Sequence, residues 1–196
     1  MKKVFFSIKL DKYNLKLRSH LLKIIKKYKN PNKSSLLDIG CGNGRFAALL
    51  KNKIKSYYGI DPDKDYIKFA KNKIKSKNIK FSLGKAEKIP SKDKFDIILY
   101  SFSWHYIENY KEALKELKRV SKKDSLIIIF EPPFKPKGYK DSRLNKDSPN
   151  FDKKMFLRKL NILKMAKREM LKQKTFKILE HQSFGTEAWI LKNKEK

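Results

Sequence analysis

Four groups of residues are of types and spacings that could do chemistry. The first is Asp38-Ile39-Gly40-Cys41-Gly42-Asn43-Gly44. Glycines between a strand and a helix let the chain bend tightly and admit a ligand with no β-carbon in its way. The helix that starts there offers free N–H groups to a carboxylate or phosphate. The second is Asp61, about twenty residues further on, at the tip of another strand-like run, where a carboxylate can accept both hydroxyls of a ribose. The third is Ser101-Phe102-Ser103-Trp104-His105-Tyr106. His105 follows a strand there and is the one histidine placed for general-base work; it suits helix capping, or packing beneath Trp104, equally well. His20 and His181 have no comparable setting. The fourth is Glu131-Pro132-Pro133-Phe134, where the prolines end a strand and Glu131 could face a substrate mouth. Cys41, the single cysteine, reads as a small packed side chain rather than a nucleophile. No His, Cys and carboxylate cluster has the spacing of a metal site.

Positioning these groups requires a regular scaffold, and apolar periodicity supplies one. Helices are expected over 11–29, 45–53, 63–76 and 109–121, and strands over 36–39, 57–60, 79–83, 95–100 and 126–130. Strands alternating with helices at short spacing predict a mainly parallel sheet with helices on both faces. A Pro/Lys-rich stretch follows over 132–150, then a basic amphipathic helix from Phe151 to Gln173. Runs 176–183 and 188–192, linked by Phe184-Gly185-Thr186, predict a terminal antiparallel hairpin. With no repeat and no linker, 1–196 reads as one domain: a helical segment 1–33, a ligand-binding core 34–131, and a substrate-side loop, basic helix and hairpin over 132–196.

The formal charge is +30, from 50 basic and 20 acidic residues. Counting along the sequence, 44 of the basic residues are Lys and six are Arg. The lysines are dispersed and the better-shaped phosphate ligand is scarce, so codon bias or solubility explains the charge more simply than a polyanionic partner. A basic surface nevertheless keeps RNA open as a partner. The longest apolar run, 126–130, is too short to span a bilayer, the N-terminus is a poor signal peptide, and a single cysteine builds no disulfide framework. A cytoplasmic location is therefore expected.

The glycine string is G-x-G-x-G, one residue tighter than the dinucleotide pattern G-x-G-x-x-G. LLDIGCGNGRF, YYGIDPD, GKAEKIP and FDIILYSFSWHYIEN together resemble the successive motifs of class I S-adenosylmethionine-dependent methyltransferases. Within that family the chain is most similar to the small single-domain group that includes ubiquinone and menaquinone methyltransferases, over roughly residues 34–132. The resemblance implies a Rossmann-like, seven-stranded, mostly parallel sheet closed by an antiparallel hairpin, with S-adenosylmethionine as cofactor. It implies that Gly40, Gly42, Gly44 and Asp38 hold the methionine end, that Asp61 takes the ribose, and that Pro62 lies along the adenine. Lys85, Ala86 and Glu87 would sit at the adenine edge, and Ser101 near the sulfonium. Lys85 stands where the family usually has Asp or Asn; lysine cannot accept from the adenine amine, which leaves that contact to Ala86 and Glu87.

In methyltransferases acting on base amines, a Pro-Pro-aromatic motif ends the fourth strand. Here it ends the fifth, which argues against that chemistry. Tyr13, Trp104, Tyr106 and Glu131 are candidate acceptor contacts, with the segment around Phe5 and Phe6, the stretch 134–150 and the basic helix. A small-molecule methyltransferase is the expected function. An RNA methyltransferase is the alternative, and a non-catalytic cofactor-binding module a third.

Overall fold

A computed structural model describes residues 12–131, 168, 176–183 and 187–194, with residues 12–16, 183 and 187 described by their backbone alone. Phe5, Phe6, the side chain of Tyr13, the stretch 132–150, the basic helix expected over 151–173 (Arg168 apart) and the link 184–186 lie outside the described residues.

The elements are α1 (Lys12–Tyr28), β1 (Ser35–Ile39), α2 (Arg45–Leu50), β2 (Ser56–Asp61), α3 (Lys64–Lys73), β3 (Ile79–Leu83), β4 (Phe95–Ser101), α4 (Tyr110–Val120), β5 (Ser121–Glu131), β6 (Phe176–Ser183) and β7 (Glu187–Asn193). Single 3-10 turns occupy Pro31–Lys33 and Trp104–Tyr106. All seven strands form one sheet in the order β3-β2-β1-β4-β5-β7-β6. The first five are parallel, and β7 runs antiparallel to both β5 and β6. The Pro-Pro dipeptide therefore follows the fifth strand, as the strand count predicts.

Side chains alternate across a strand, so consecutive apolar residues serve opposite faces. Leu36, Ile97, Leu99, Leu126, Ile128 and Phe130 pack with α1, α2 and α3 on one face. Leu37, Ile98, Tyr100, Ile127 and Ile129 pack with α4 on the other. Burial on both faces explains why β4 and β5 read as unbroken apolar runs. Helix starts are capped where the sequence offers a short acceptor. Asp63 accepts from Asp65 N–H and Tyr66 N–H before α3, and Asn109 from Glu112 N–H before α4. β5 begins earlier than its apolar run, because Ser121 already pairs with Phe95 of β4, ahead of a register irregularity after which pairing resumes at Ile97 and Leu126.

β1 is flanked by β2 on one side and β4 on the other. Chain connections leave in opposite directions there, which opens a crevice outside the carboxyl ends of the strands.

Candidate functional site

A cavity of about 530 Å³ occupies that crevice. The glycine turn forms its floor. Gly40 and Cys41 N–H groups donate to Ile60 O at 2.8 and 2.9 Å, tying the turn to β2. Gly42 N–H donates to Asp61 Oδ2 at 2.9 Å, and Asp63 N–H donates to Oδ1 at 2.9 Å. Asp61 thus clamps the turn while standing on the cavity wall. Burial pushes its carboxyl group upward in pKa, and the two backbone N–H groups oppose that by stabilising the anion.

The three glycines of the turn have different tasks. Gly42 has φ +53, and a methyl group there would meet nothing within 4 Å, so its open side faces the cavity. Gly44 has φ +78, and a methyl group there would come within 2.6 Å of Ile74 Cδ1. Gly44 therefore admits the core rather than a ligand, and it is not on the cavity wall. Gly40 lines the cavity beside Ser103.

Pro62, Lys85, Ala86 and Glu87 line one end of the cavity with Asp61. Glu87 Oε1 accepts from Glu108 and Asn109 N–H at 2.9 and 3.2 Å, so this oxygen already anchors the approach to α4. Phe102, Ser103, Tyr106 and Ile107 form wall on the β4 side. Phe102 has φ 59, an uncommon conformation for a bulky residue. Ser103 Oγ donates to Ile39 O at 2.6 Å, holding this segment over the end of β1.

Several expected site residues lie behind the wall. Asp38 is fully buried; Tyr57 donates its hydroxyl to Oδ2, and Oδ1 is buried with no partner among the described residues. Burial pushes the Asp38 carboxyl up to about 7, against the pull of Tyr57 and Arg45. Ser101 Oγ accepts from Arg45 Nη2 at 2.9 Å. Trp104 is buried edge-on against Tyr100, with ring centroids 4.7 Å apart. His105 and Glu131 are also interior: Glu131 Oε1 accepts from Trp104 N–H at 2.9 Å, and Oε2 lies 2.5 Å from His105 Nδ1. Glu131 thus does not face the mouth as expected. Two buried donors from the turn after β4 draw its carboxylate inward. Cys41 lines the cavity but is almost wholly buried, and burial pushes its thiol pKa up, in keeping with a packed rather than a reactive cysteine.

Among the wall residues that the sequence reading missed are two arginines. Arg18, on α1, is 8% exposed and lines the cavity; its Nη2 donates to Arg45 O at 2.6 Å. Arg18 Nε is buried with no partner, and the guanidinium has no acidic partner among the described residues. Arg45, at the start of α2, lines the cavity with its guanidinium over the Phe46 and Phe102 rings, 5.1 and 5.2 Å from their centroids. The signal was the rarity of arginine itself: against 44 lysines, two of the six arginines stand on this wall.

Residues 37–129 match the model of the methyltransferase domain family. Over that stretch, just under half of its length, this chain is similar to the S-adenosylmethionine-dependent methyltransferases. It is 30% identical over 100 residues to the uncharacterized methyltransferase YcgJ of Bacillus subtilis, covering 49% of this chain and 40% of that protein. It is 31% identical over 109 residues to a demethylmenaquinone methyltransferase of Thermotoga maritima, covering 53% and 46%. The chain thus spans less than half the length of these curated relatives. The fold resembles a SAM-dependent methyltransferase from Aquifex aeolicus, with TM-score 0.64 at 22% identity over 94% of this chain and 100% of that one. It also resembles a methyltransferase fold from Methanococcus maripaludis, with TM-score 0.68 at 18% identity over 100% and 97%. Among the described residues, no group of three or more His, Cys, Asp or Glu is placed to hold a metal ion, and no helix is long and apolar enough to cross a membrane.

Proposed function

We propose that this methyltransferase domain moves a methyl group from S-adenosylmethionine to a small-molecule acceptor by direct displacement. The observation that carries the reading is Asp61, a carboxylate on the cavity wall that also clamps the glycine turn. Each of its oxygens accepts one backbone hydrogen bond. A carboxylate oxygen has room for two, so one acceptor position per oxygen is left for a ribose hydroxyl. Open space over Gly42 suits close approach of the methionine portion, and the unmatched Arg18 guanidinium suits its carboxylate. Pro62 and Ala86 offer apolar contact to the adenine. The adenine amine is left to the Ala86 backbone or to Glu87 Oε2, since Oε1 holds residues 108 and 109.

When bound, this cofactor supplies an electrophilic methyl group and its own leaving group. The chain's task is to align an acceptor and exclude water. Phe102, Tyr106 and Ile107 bring apolar surface to the β4 side of the cavity for both purposes. Arg45 holds that side in place through Ser101 and the face of Phe102.

A small acceptor is supported by the relatives' names. These include demethylmenaquinone methyltransferases and a ubiquinone biosynthesis O-methyltransferase of Pelagibacter ubique. RNA is the second reading, carried by the +30 charge. Incubating the protein with methyl-labelled cofactor and a cell extract, then separating products by size with and without ribonuclease, tests the two. Label in the small fraction is the expected result. Ribonuclease-sensitive label in the large fraction overturns the small-acceptor reading.

A further inference from the structure

The Glu131-Pro132-Pro133-Phe134 motif stands out in the sequence, yet Glu131 does not line the cavity. Its glutamate is the most buried acid at this end of the sheet besides Asp38. The reason lies in the segment after β4. Phe102 N–H still follows the ladder, donating to Phe130 O at 2.8 Å. The chain then turns away through Ser103, whose hydroxyl is committed to Ile39 O and does not cap the 3-10 turn that follows. The first amide of that turn, Trp104 N–H, is left facing the protein interior, where an unmet donor is destabilising.

Glu131 Oε1 meets that amide at 2.9 Å, and Oε2 meets His105 Nδ1 at 2.5 Å. With Glu131 as the carboxylate acceptor, this contact requires the imidazole proton on Nδ1. The His105 ring then packs against the Tyr106 ring, with centroids 4.1 Å apart. Tyr106 is 56% exposed and stands on the cavity wall. Residues 103, 106 and 107 line the cavity, whereas 104 and 105 point to Glu131.

We propose that Glu131 is a positioning residue of the acceptor wall: through Trp104 N–H and the His105 ring it fixes where Ser103 and Tyr106 stand. This rests on the reading of the cavity as the methyl-transfer site, and it assigns the proline motif a role in methyl transfer unlike holding a base amine. A displacement of about 1 Å at such a wall is enough to cost roughly a hundredfold in rate. His105 acts here through its ring and Nδ1, not as a proton acceptor on the wall.

The test uses the full chain labelled with 3-fluorotyrosine. The Tyr106 fluorine signal is assigned by its loss in Tyr106→Phe, and affinity for S-adenosylhomocysteine is measured by calorimetry. Glu131→Leu should move the Tyr106 signal toward that of an unstacked tyrosine and weaken binding about tenfold. Replacing a buried pair member by an apolar side chain can unfold a protein, so Glu131→Gln is the second variant. The amide introduced by Glu131→Gln can still accept from Trp104 N–H and can donate to Nδ1, which moves the imidazole proton to Nε2, a buried atom with no partner among the described residues, at a cost in stability rather than in geometry. The positioning role therefore predicts that Glu131→Gln keeps both the Tyr106 signal and the affinity. An unchanged Tyr106 signal in Glu131→Leu overturns the proposal. So does a Glu131→Gln as impaired as Glu131→Leu, because the imidazole tautomer and not the geometry would then matter. If the wild type binds no S-adenosylhomocysteine but the Tyr106 signal responds as described, the cofactor reading fails and the positioning role stands.

Discussion

Asp38 should make the protein less stable as pH rises from about 5 to about 8. The carboxyl is fully buried beneath the glycine turn, and burial raises its pKa from 3.8 to about 7. Between those values the folded protein keeps a proton that the unfolded chain has lost. Stability therefore falls with rising pH across this window and levels off above it. The full gap corresponds to roughly 4 kcal/mol, and the part falling between about pH 5 and 8 to roughly 2–3 kcal/mol. Asp61, raised in the same direction by burial, adds to the slope. Asp96 and Glu116 have lowered pKa values and act below this window, where their contribution is lost as pH falls. Urea unfolding of wild type and Asp38→Asn at the two pH values measures the effect. The amide of Asp38→Asn can still accept from Tyr57 but cannot ionise, so most of the slope should vanish. A wild-type stability that is flat or rises with pH refutes the argument, as does a slope unchanged in Asp38→Asn.

The glycine turn gives a contrast between two neighbours. Gly42→Ala, with φ +53 and open space, should fold with a loss of about 1–2 kcal/mol and weaken S-adenosylhomocysteine binding. Gly44→Ala presses on Ile74 and Phe81 and should lower thermal stability much more; equal effects of the two on melting would count against this division of labour. Arg18→Gln should weaken S-adenosylhomocysteine about ten- to a hundredfold and leave methylthioadenosine, which lacks the amino-acid tail, nearly unaffected. Parallel losses for both ligands would assign Arg18 to the adenosine end or to the fold.

The sequence made strand count and site location legible because both depend on local signals. Glycines interrupting an apolar run and an acid after the next run place Asp61 on the cavity wall. Counting runs puts the Pro-Pro dipeptide after β5 and not β4. Side-chain direction was less legible. Gly42 and Gly44 are two residues apart in one motif, yet one faces the cavity and the other Ile74, a contact made only when α3 packs down. Glu131 reads as a charge at a strand end, and its burial depends on donors 26 and 27 residues away. Arg18 reaches the wall by packing on Arg45, again 27 residues distant. No periodicity reports such pairings, because they follow from strand order, which local pattern does not contain.

Calorimetric titration of wild type and Asp61→Ala with S-adenosylhomocysteine tests the central claim most directly. The account predicts binding to the wild type at one site, and binding about ten- to a hundredfold weaker in the variant, from the loss of a charged acceptor worth roughly 1.5–3 kcal/mol. Circular dichroism shows whether the variant remains folded. No binding to the wild type, or equal affinity in a folded Asp61→Ala, would contradict the assignment of this cavity to the cofactor.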